Sequence, residues 1–596
     1  MRLRFDAVMS PYQHGLLVGS SFPYARSLHL IDSPAGLDYV LGSKFSLINP
    51  QDTSTYEMDL PYFYPDQYYE PPLADDTTWE AMLHVLSPLT GPSNNETVTI
   101  NYWYEPYDVE ICVPIAQSSE AEKKVEICVP IAQSSEAEKK AKTGIVSSTA
   151  DTVSKIASPL SRIPFLSDVA GPVSWLADGV GALASAFGFS KPTLTPTPLL
   201  TYPSISPYHT NVDGIDLSQK LSLTSGYSLA QLKILDEMEL SSLYGMWGFV
   251  KTLSIGKLLD VVSVTNCGVN YSTKVETTNV PYWRSPPLTQ IAQLFEFWRG
   301  DLEFKVVFAK NKFTKGKVAV YWNQKEVVNK KVTSTETDIV DISEVNEITY
   351  RVPFKSASSF LKFGETVGKF CINVVSAFND HDGVVDVPIF IFVRGVDLTF
   401  SGYNPQLPRI SQLHYTLAKA QSAGIDPEAN GENITSLRPL TRRSTFVGTY
   451  KRKHLILNHQ IASLDQRDGI TYHATLFDYL TWLYAYWRGS VRYKISNDQF
   501  KTCQRTLGSN HENFSENTET GSGYHRAYAL SDAHTLEVEL PHYYKHKMMK
   551  TNDKGMSYVC EVANEDDFHV RFSMGDDASF HGFTAFPLLE DPPSQG

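Results

Sequence analysis

The chain has 596 residues, which is too long for a single hydrophobic core and predicts about three or four domains. Its composition is 42% apolar and 20% charged, which excludes a largely disordered protein, and its 32 Tyr and 30 Phe favour β structure. The net charge of -14 excludes a strong general affinity for nucleic acid, although local basic stretches could still bind it.

The cysteines indicate a reducing compartment, because no CxxC spacing occurs among them. The polar start MRLRFDAVM does not predict a signal peptide. The six cysteines are Cys112, Cys128, Cys267, Cys371, Cys503 and Cys560.

An aromatic-Trp-Arg-Gly motif occurs twice, in FEFWRGDLEFKVVF from Phe295 and in YAYWRGSVRYKI from Tyr484. The first residues of the chain match the part that follows the glycine, since Leu3-Arg4-Phe5 aligns with Leu302-Glu303-Phe304. Repeats decide a fold prediction before any other pattern. We therefore expect one architecture to occur three times, with the first copy lacking its opening strands.

A second motif follows each copy at a similar distance and ends an alternating stretch with an aliphatic residue and a proline. It reads EMDLPYFY from Glu57, TYRVPFKS from Thr349 and EVELPHYY from Glu537. FHVRFSM, from Phe568, alternates apolar and polar residues, which is typical of a half-buried strand. Short strands separated by Gly, Pro and Asn turns predict antiparallel sandwiches or barrels.

Residues 141–200 differ from the rest, because they are rich in Ala, Ser, Gly and Pro. From Val173 to Phe187 the apolar residues fall at helical spacing, and Val169 to Phe189 is long enough to span a bilayer. Pro172 and the central Asp178 count against a stable spanning helix. Two interpretations remain: a small helix buried against another subunit, or membrane contact through residues 156–189.

These features together resemble the capsid polyproteins of picorna-like positive-strand RNA viruses, near the dicistroviruses, iflaviruses and marnaviruses. The matching segments are FWRG at Phe297, YWRG at Tyr486, DEMELSSLYGMWGFV from Asp236, GENITSLRPLTRR from Gly431 and ASAFGFSKPT from Ala184. The resemblance implies an all-β fold with three viral jelly-roll β-sandwich domains, the first incomplete, and a short α-helical internal segment between the first and second.

The resemblance also divides the chain. Residues 1–133 correspond to a partial first jelly roll, and residues 134–189 to a small internal capsid peptide, helical or flexible. Residues 190–420 correspond to the second jelly roll with an N-terminal arm, and residues 421–596 to the third with its own arm.

The sixteen residues VEICVPIAQSSEAEKK occupy positions 109–124 and are repeated without change at 125–140. Each copy contains a Gln-Ser pair, Gln117-Ser118 and Gln133-Ser134, and Gln421-Ser422 is a third. The resemblance implies cleavage there by a viral chymotrypsin-like cysteine protease, whose pocket selects the Gln amide. Gln-Ser is also a common dipeptide. Natural duplication and an error of sequence assembly both remain open as the origin of the repeat.

A further cut is implied at Phe189-Ser190, where family members cleave autocatalytically with an Asp-Asp-Phe motif. Two acid pairs are candidates: Asp566-Asp567-Phe568 matches the letters, and Asp576-Asp577 fits a turn after Gly575 better. Adjacent carboxylates can share a proton, so that one acts as acid or base. The alternative is that both pairs are ordinary solvated turn acids.

Basic residues cluster before the strands of the third copy and are candidates for contact with genomic RNA on the inside of the shell. A solvated face is the alternative. No metal or cofactor motif occurs, and none is predicted. The basic residues are Arg438, Arg442, Arg443, Lys451, Arg452 and Lys453.

The expected function is therefore structural and not enzymatic, apart from a single-turnover maturation cut. The expected partners are other capsid subunits, viral genomic RNA, the viral protease and an unidentified host receptor. The expected location is the virion, with assembly in the host cell cytoplasm. The alternatives are a surface β-sandwich that binds carbohydrate or a receptor, and a multidomain hydrolase.

Overall fold

The structure is a computed structural model of the whole chain. It describes residues 1–23, 36–51, 55–64, 79–91, 97–107, 109, 219–220, 236–258, 261–275, 282–324, 336–404, 434–451, 454–458, 475–496, 500–505, 526–528, 535–542, 546–551, 557–562 and 567–589.

The first group of strands, unit 1, forms two three-stranded antiparallel sheets in the orders β4-β1-β6 and β3-β2-β5. One short helix, α1, precedes β3. The bounds are β1 Arg2–Ala7, β2 His14–Pro23, α1 Gly36–Leu41, β3 Phe45–Ile48, β4 Thr55–Asp59, β5 Trp79–Thr90 and β6 Ile100–Glu105.

A two-residue strand, β7, at Gln219–Lys220 precedes unit 2 in the chain. The two large sheets of unit 2 run β8-β19-β12-β15 and β9-β17-β13-β14. The bounds are α2 Leu240–Tyr244, β8 Gly248–Ile255, β9 Val261–Gly268, β10 Thr273–Val275, β11 Tyr282–Arg284, α3 Pro287–Ala292, β12 Phe295–Phe308, β13 Lys315–Asn323, β14 Thr337–Asp341, β15 Glu347–Val352, β16 Leu361–Lys362, β17 Thr366–Asp380, β18 Gly383–Val384 and β19 Val387–Tyr403.

Unit 3 repeats this arrangement, with sheets in the orders β20-β29-β23-β26 and β21-β28-β24-β25. The short β7 pairs in parallel with β26 at the edge of the first sheet. The bounds are α4 Arg438–Thr441, β20 Thr445–Lys451, β21 His454–Asn458, α5 Leu476–Leu483, β22 Tyr484–Arg488, β23 Val491–Ser496, β24 Phe500–Arg505, β25 Arg526–Tyr528, β26 Thr535–Leu540, β27 Met549–Lys550, β28 Ser557–Val562, β29 Asp567–Met574 and β30 Ser579–Phe583.

Both large units are eight-stranded jelly rolls. If the main strands of unit 2 are lettered B to I in chain order, its sheets read B-I-D-G and C-H-E-F, and the same letters fit unit 3. This is two sheets of a double Greek key packed face to face. Inward-facing rings such as Phe304 and Phe370, whose centroids lie 4.6 Å apart, fill the space between the sheets of unit 2. The all-β, jelly-roll expectation is confirmed.

Unit 1 has the strands that correspond to D through I, because its sheets read I-D-G and H-E-F. In units 2 and 3 the I and H strands are flanked by B and C. Among the described residues of unit 1, nothing pairs with the outer edges of β6 and β5. This agrees with the expectation that the first jelly roll is incomplete.

The outer face of the H-E-F sheet of unit 1 packs on the outer face of the B-I-D-G sheet of unit 2. Val18 and Phe22 on β2, both nearly inaccessible, share an apolar cluster with Phe390 and Phe392 on β19. A partly buried ion pair between Asp38 of α1 and Arg284 of β11 borders the cluster. The Arg284 guanidinium also lies 4.5 Å from the centroid of the Phe249 ring.

Units 2 and 3 are joined by the segments that lead into them. These two lead-ins pair antiparallel: the Leu240 amide donates to the Thr435 carbonyl at 2.9 Å, and the Leu437 amide donates to the Met238 carbonyl at 3.0 Å. The short helices α2 and α4 bury Leu243 and Leu440 in one shared core. The pairing therefore ties two jelly rolls at equivalent points of their sequences.

The residues after β30 contact both other units. The Phe586 amide donates to the Gly42 carbonyl of unit 1 at 3.0 Å, and Leu589 exchanges backbone hydrogen bonds with Trp283 of unit 2. The end of unit 3 thus lies between the other two units.

Among the described residues there is no helix of the length and apolarity needed to cross a membrane. The stretch 156–189, with its predicted helix, lies outside the described residues.

Candidate functional site

The glycine of the repeated Trp-Arg-Gly motif lies against the turn that contains the candidate acids. Gly489 has φ +113°, and a Cβ there would lie 2.3 Å from the Ala578 backbone. Gly300 repeats this in unit 2, with φ +131° and a Cβ position 2.5 Å from the Asp397 carbonyl oxygen. Side chains other than glycine rarely adopt this φ and could not fit. The motif is therefore a close backbone crossing between strands D and I.

Asp577 occupies a turn position that units 2 and 3 share. GVDLTFSGY from Gly395 aligns with GDDASFHGF from Gly575, and the last residue but one of both segments is a glycine with φ +70°. Asp577 corresponds to Asp397 in this alignment. Its Oδ1 accepts hydrogen bonds from the Ser490 amide at 2.9 Å and the Ser490 hydroxyl at 2.6 Å. These contacts assign it a structural role in the turn.

Asp576 is the acid that distinguishes unit 3, because the corresponding residue of unit 2 is Val396. Its Oδ2 lies 2.9 Å from Arg492 Nη2, and its Oδ1 lies 3.5 Å from Arg442 Nε. Arg492 also pairs with Glu539 at 2.9 Å. Two cationic neighbours favour the ionised carboxylate at Asp576.

The other acid pair lies at the opposite end of β29. Asp567 and Phe568 begin this strand, opposite Lys451 and Tyr450 of β20. The side chains of these residues and the whole of Asp566 lie outside the described residues. The structure therefore does not bring the two pairs together, since a strand separates them.

Three of the predicted RNA-facing arginines contact protein groups. Arg438 donates from Nε to Asp236 at 2.9 Å and from Nη1 to the Ala578 carbonyl at 3.4 Å. Arg442 pairs with Asp576, and the Arg443 guanidinium lies 5.0 Å from the centroid of the Tyr403 ring. Lys451 ends β20; Arg452 and Lys453 lie outside the described residues.

The predicted cleavage junctions cannot be located in the fold. They lie outside the described residues: Gln117, Ser118, Gln133, Ser134, Phe189, Ser190, Gln421 and Ser422.

Sequence reasoning missed a group of buried cationic and imidazole side chains beside the Asp turn. Burial lowers the pKa of Arg488, and it lowers the pKa of His542. Burial, with help from nearby Arg488 and Arg438, lowers the pKa of His581 to about 4. The neutral ring of His581 is held 2.8 Å from the Ser579 hydroxyl. The sequence gives only a weak sign of this group, which is that Arg488 is the arginine of the repeated Trp-Arg-Gly motif.

Comparison with known proteins gives two family matches. Residues 425–592 match the family described as cricket paralysis virus (CRPV) capsid protein like, and residues 133–189 match the VP4 family of cricket paralysis virus. The second range covers nearly the same residues as the internal peptide expected from the sequence.

Two curated relatives are structural polyproteins. That of cricket paralysis virus is 23% identical over 449 residues, covering 59% of this chain and 50% of the relative. That of acute bee paralysis virus is 24% identical over 270 residues, covering 37% and 29%. The chain thus spans at most about half the length of these relatives.

The solved structures that match include those of viruses. A marine algae virus of the order Picornavirales matches with 16% identity and TM-score 0.32, covering 38% of this chain and 99% of that chain. The Israel acute paralysis virus pentamer matches with 18% identity and TM-score 0.31, covering 40% and 98%.

The sheet orders define jelly-roll domains, and the family matches show similarity to viral capsid proteins of this class. Within that class, the chain is related to the capsid polyproteins of picorna-like viruses, and specifically to the structural polyproteins of dicistroviruses.

Proposed function

We propose that this chain is the structural capsid polyprotein of a non-enveloped positive-strand RNA virus. It is cut into subunits that assemble an icosahedral shell around the genome in the host cytoplasm. The observation that carries the proposal is the repeated sheet order, I-D-G with H-E-F, in three units joined by long connectors. Wedge-shaped sandwiches of one design can occupy equivalent places in a closed symmetric shell.

The proposal includes cleavage by a chymotrypsin-like cysteine protease after Gln117 or Gln133, and after Gln421. The VP4-type match beginning at residue 133 supports the second copy of the repeat as the junction in use. Purified chain treated with a cognate protease is expected to give products whose ends map to these glutamines. Gln133→Ala should move the cut to Gln117, and Gln117→Ala is the matched control that should leave it at Gln133.

Cuts elsewhere, or none, would count against the polyprotein proposal and favour the alternative of a surface β-sandwich that binds carbohydrate or a receptor. Glycan-array binding by the uncut chain would be the positive evidence for that alternative.

We also propose that the cut at Phe189-Ser190 occurs once, during maturation, and depends on an acid at one end of β29. Asp567→Asn and Asp576→Asn should be compared in assembled particles, with intact mass of the 134–189 product as the measurement. One variant is expected to retain the uncut product. Asp577→Asn is the control for turn stability, because unit 2 has the same residue at that place.

RNA contact is proposed for the whole basic group between residues 438 and 453. Lys451, Arg452 and Lys453 are the positions to test first, because replacing them disturbs none of the described ion pairs. Replacing these three residues with Gln should lower the salt dependence of RNA binding. Replacing Arg438 should instead loosen the lead-in, because that arginine holds Asp236.

A further inference from the structure

The contact between units 1 and 2 joins the outer H-E-F face of one jelly roll to the outer B-I-D-G face of the next. Other faces of the same two kinds could make the same contact. On β2 of unit 1, Val18 lies opposite Leu47 of β3, and this outer H-E-F face packs on unit 2. On unit 2 the receiving outer face includes Val307 of β12, only 4% exposed, and Phe392 of β19, which is fully buried.

The outer H-E-F face of unit 2 is the counterpart of the covered face of unit 1. It is open around Ile339, whereas Ala319 and Tyr321 on the same face are buried. Ala319 of β13 lies opposite Ile339 of β14, just as Val18 of β2 lies opposite Leu47 of β3 in unit 1. Leu47 packs against the phenylalanine cluster, whereas Ile339 is 62% exposed. On neighbouring strands of the same sheet, Val264 is 37% exposed and Val375 is 40% exposed. We call the surface around Ile339 the open E-F face.

The outer I-D-G face of unit 1 is the counterpart of the receiving face of unit 2, and it is open too. By the alignment of Leu3 with Leu302, Val8 corresponds to Val307, yet Val8 is 74% exposed. Trp103 lies opposite Arg4 in unit 1, and Arg394 lies opposite Glu303 at the corresponding place in unit 2. Trp103 is 60% exposed. A groove of about 430 Å³ lined by Arg4, Glu57 and Trp103 runs over this surface, which we call the open D-I face.

Charged side chains of both signs surround the two open faces: Lys317 lies 4.0 Å from Asp341, and Arg2 pairs with Asp59 at 2.9 Å. Lys317 projects on the open E-F face with its side chain 54% exposed. On the open D-I face, Glu57 and Asp59 have side chains 50% and 56% exposed. Exposed apolar side chains inside a charged rim are typical of an interface.

We propose that the open E-F face of unit 2 binds the open D-I face of unit 1 in a second copy of this chain. The contact would reproduce between copies the packing seen within one copy. The partner is not unit 1 of the same chain, because the H-E-F sheet of that unit already packs on unit 2. It is not the outer I-D-G face of unit 3 either, since Arg492 and Glu539 on that face have side chains only 12% and 8% exposed. Such a contact joins two different faces, so repeating it builds a ring or a chain of copies. The inference rests on the proposed capsid function and names the surfaces that assembly uses.

The test uses the full chain as an equimolar mixture of unlabelled and ¹⁵N-labelled copies, treated with a carbodiimide that joins lysine to carboxylate at contact distance. The expected product joins Lys317 of one copy to Glu57 or Asp59 of the other, with mixed isotopes. Ile339→Asp should reduce this product at least tenfold, while Leu258→Asp, at a site 53% exposed in the loop after β8, should leave it unchanged. Lys317→Glu and Glu57→Lys should each weaken association measured by light scattering, and the double variant should restore it.

Absence of the mixed-isotope product in the wild-type chain, or equal loss in Ile339→Asp and Leu258→Asp, would overturn the inference. Electron microscopy of protease-treated chain separates this from the proposed function. Closed shells formed by Ile339→Asp would overturn the interface and leave the capsid function standing. The cross-link without any shell would support the interface and count against the function.

Discussion

At the scale of single residues, the glycine of the Trp-Arg-Gly motif has a steric explanation. Gly489 and Gly300 let strand D cross the turn in strand I at a distance that no Cβ could occupy. The motif is therefore a marker of the jelly-roll D strand. Its recurrence in the sequence predicted a repeated fold correctly for this physical reason.

Gly489→Ala is expected to destabilise unit 3 strongly, because it combines a left-handed φ with a backbone clash at 2.3 Å. Gly383→Ala is the matched control, since Gly383 has φ +111° and nothing within 4 Å of the added Cβ. The control should cost about 1–2 kcal/mol from the φ preference alone. Urea unfolding followed by hydrogen exchange, in β23 and β29 for Gly489→Ala and in β17 and β19 for Gly383→Ala, measures the difference. Equal costs would contradict the crossing.

His581 makes the stability of unit 3 depend on pH. Its pKa of about 4 in the folded protein lies below the ordinary 6.5, so the unfolded chain binds more protons between these values. Stability is therefore complete above about pH 6.5 and is lost as the pH falls toward 4. The loss from pH 7 to pH 5 should be about 2 kcal/mol.

Thermal unfolding of unit 3 at pH 7 and pH 5 measures this loss. His581→Gln, which keeps a hydrogen-bonding group near Ser579, should reduce the pH dependence clearly. His542, whose pKa burial also lowers, accounts for a part that remains. His381→Gln, at a histidine with a side chain 46% exposed, is the control and should retain it. A variant His581→Gln that is as acid-sensitive as the wild type would assign the effect to other groups.

At the scale of elements, the contact of unit 1 with unit 2 depends on phenylalanines that point outward from a jelly roll. Phe392 is fully buried although it lies on the outer face of β19, and its ring centroid is 5.7 Å from those of Phe45 and Phe249. Burial of an outward residue in this way indicates a second core between units.

Phe392→Ala should weaken this second core by about 3–5 kcal/mol while unit 2 stays folded. Limited proteolysis should then cut within α1 and β2 before it cuts β12 or β17. Ile339→Ala, at an outer-face residue 62% exposed, is the control and should change neither rate. Simultaneous cutting of units 1 and 2 would show that the second core does not form a separate layer.

The strand pattern was predictable from sequence because its period is local, whereas the lead-in pairing was not. DEMELSSLYG and NITSLRPLTRR were recognised only as segments that precede their domains, and nothing local shows that Leu240 and Leu437 meet. The same limit applies to the site. Sequence predicted an acidic turn at Asp576-Asp577, but Arg492 and Ser490 reach it from another strand.

At the scale of the whole molecule, unit 1 is the least self-sufficient part. Its β5 and β6 edges are unpaired among the described residues, and one of its faces is covered by unit 2. Bare edges and uncovered apolar faces promote aggregation.

We predict that the fragment of residues 1–133 does not fold alone, whereas residues 190–420, with a complete jelly roll, give a cooperative transition. Circular dichroism during heating measures both fragments. A cooperative transition in the 1–133 fragment would contradict the dependence of unit 1 on its neighbours.

The antiparallel pairing of the two lead-ins has a consequence for what a protease leaves behind. Glu239 and Ser436 lie directly opposite each other in this short ladder, while the connector between units 2 and 3 comprises residues 405–433. A nick anywhere in that connector severs the covalent link without touching the ladder. The daughter proteins would then elute together as one non-covalent heterocomplex, and denaturing electrophoresis alone would reveal that the chain had been divided.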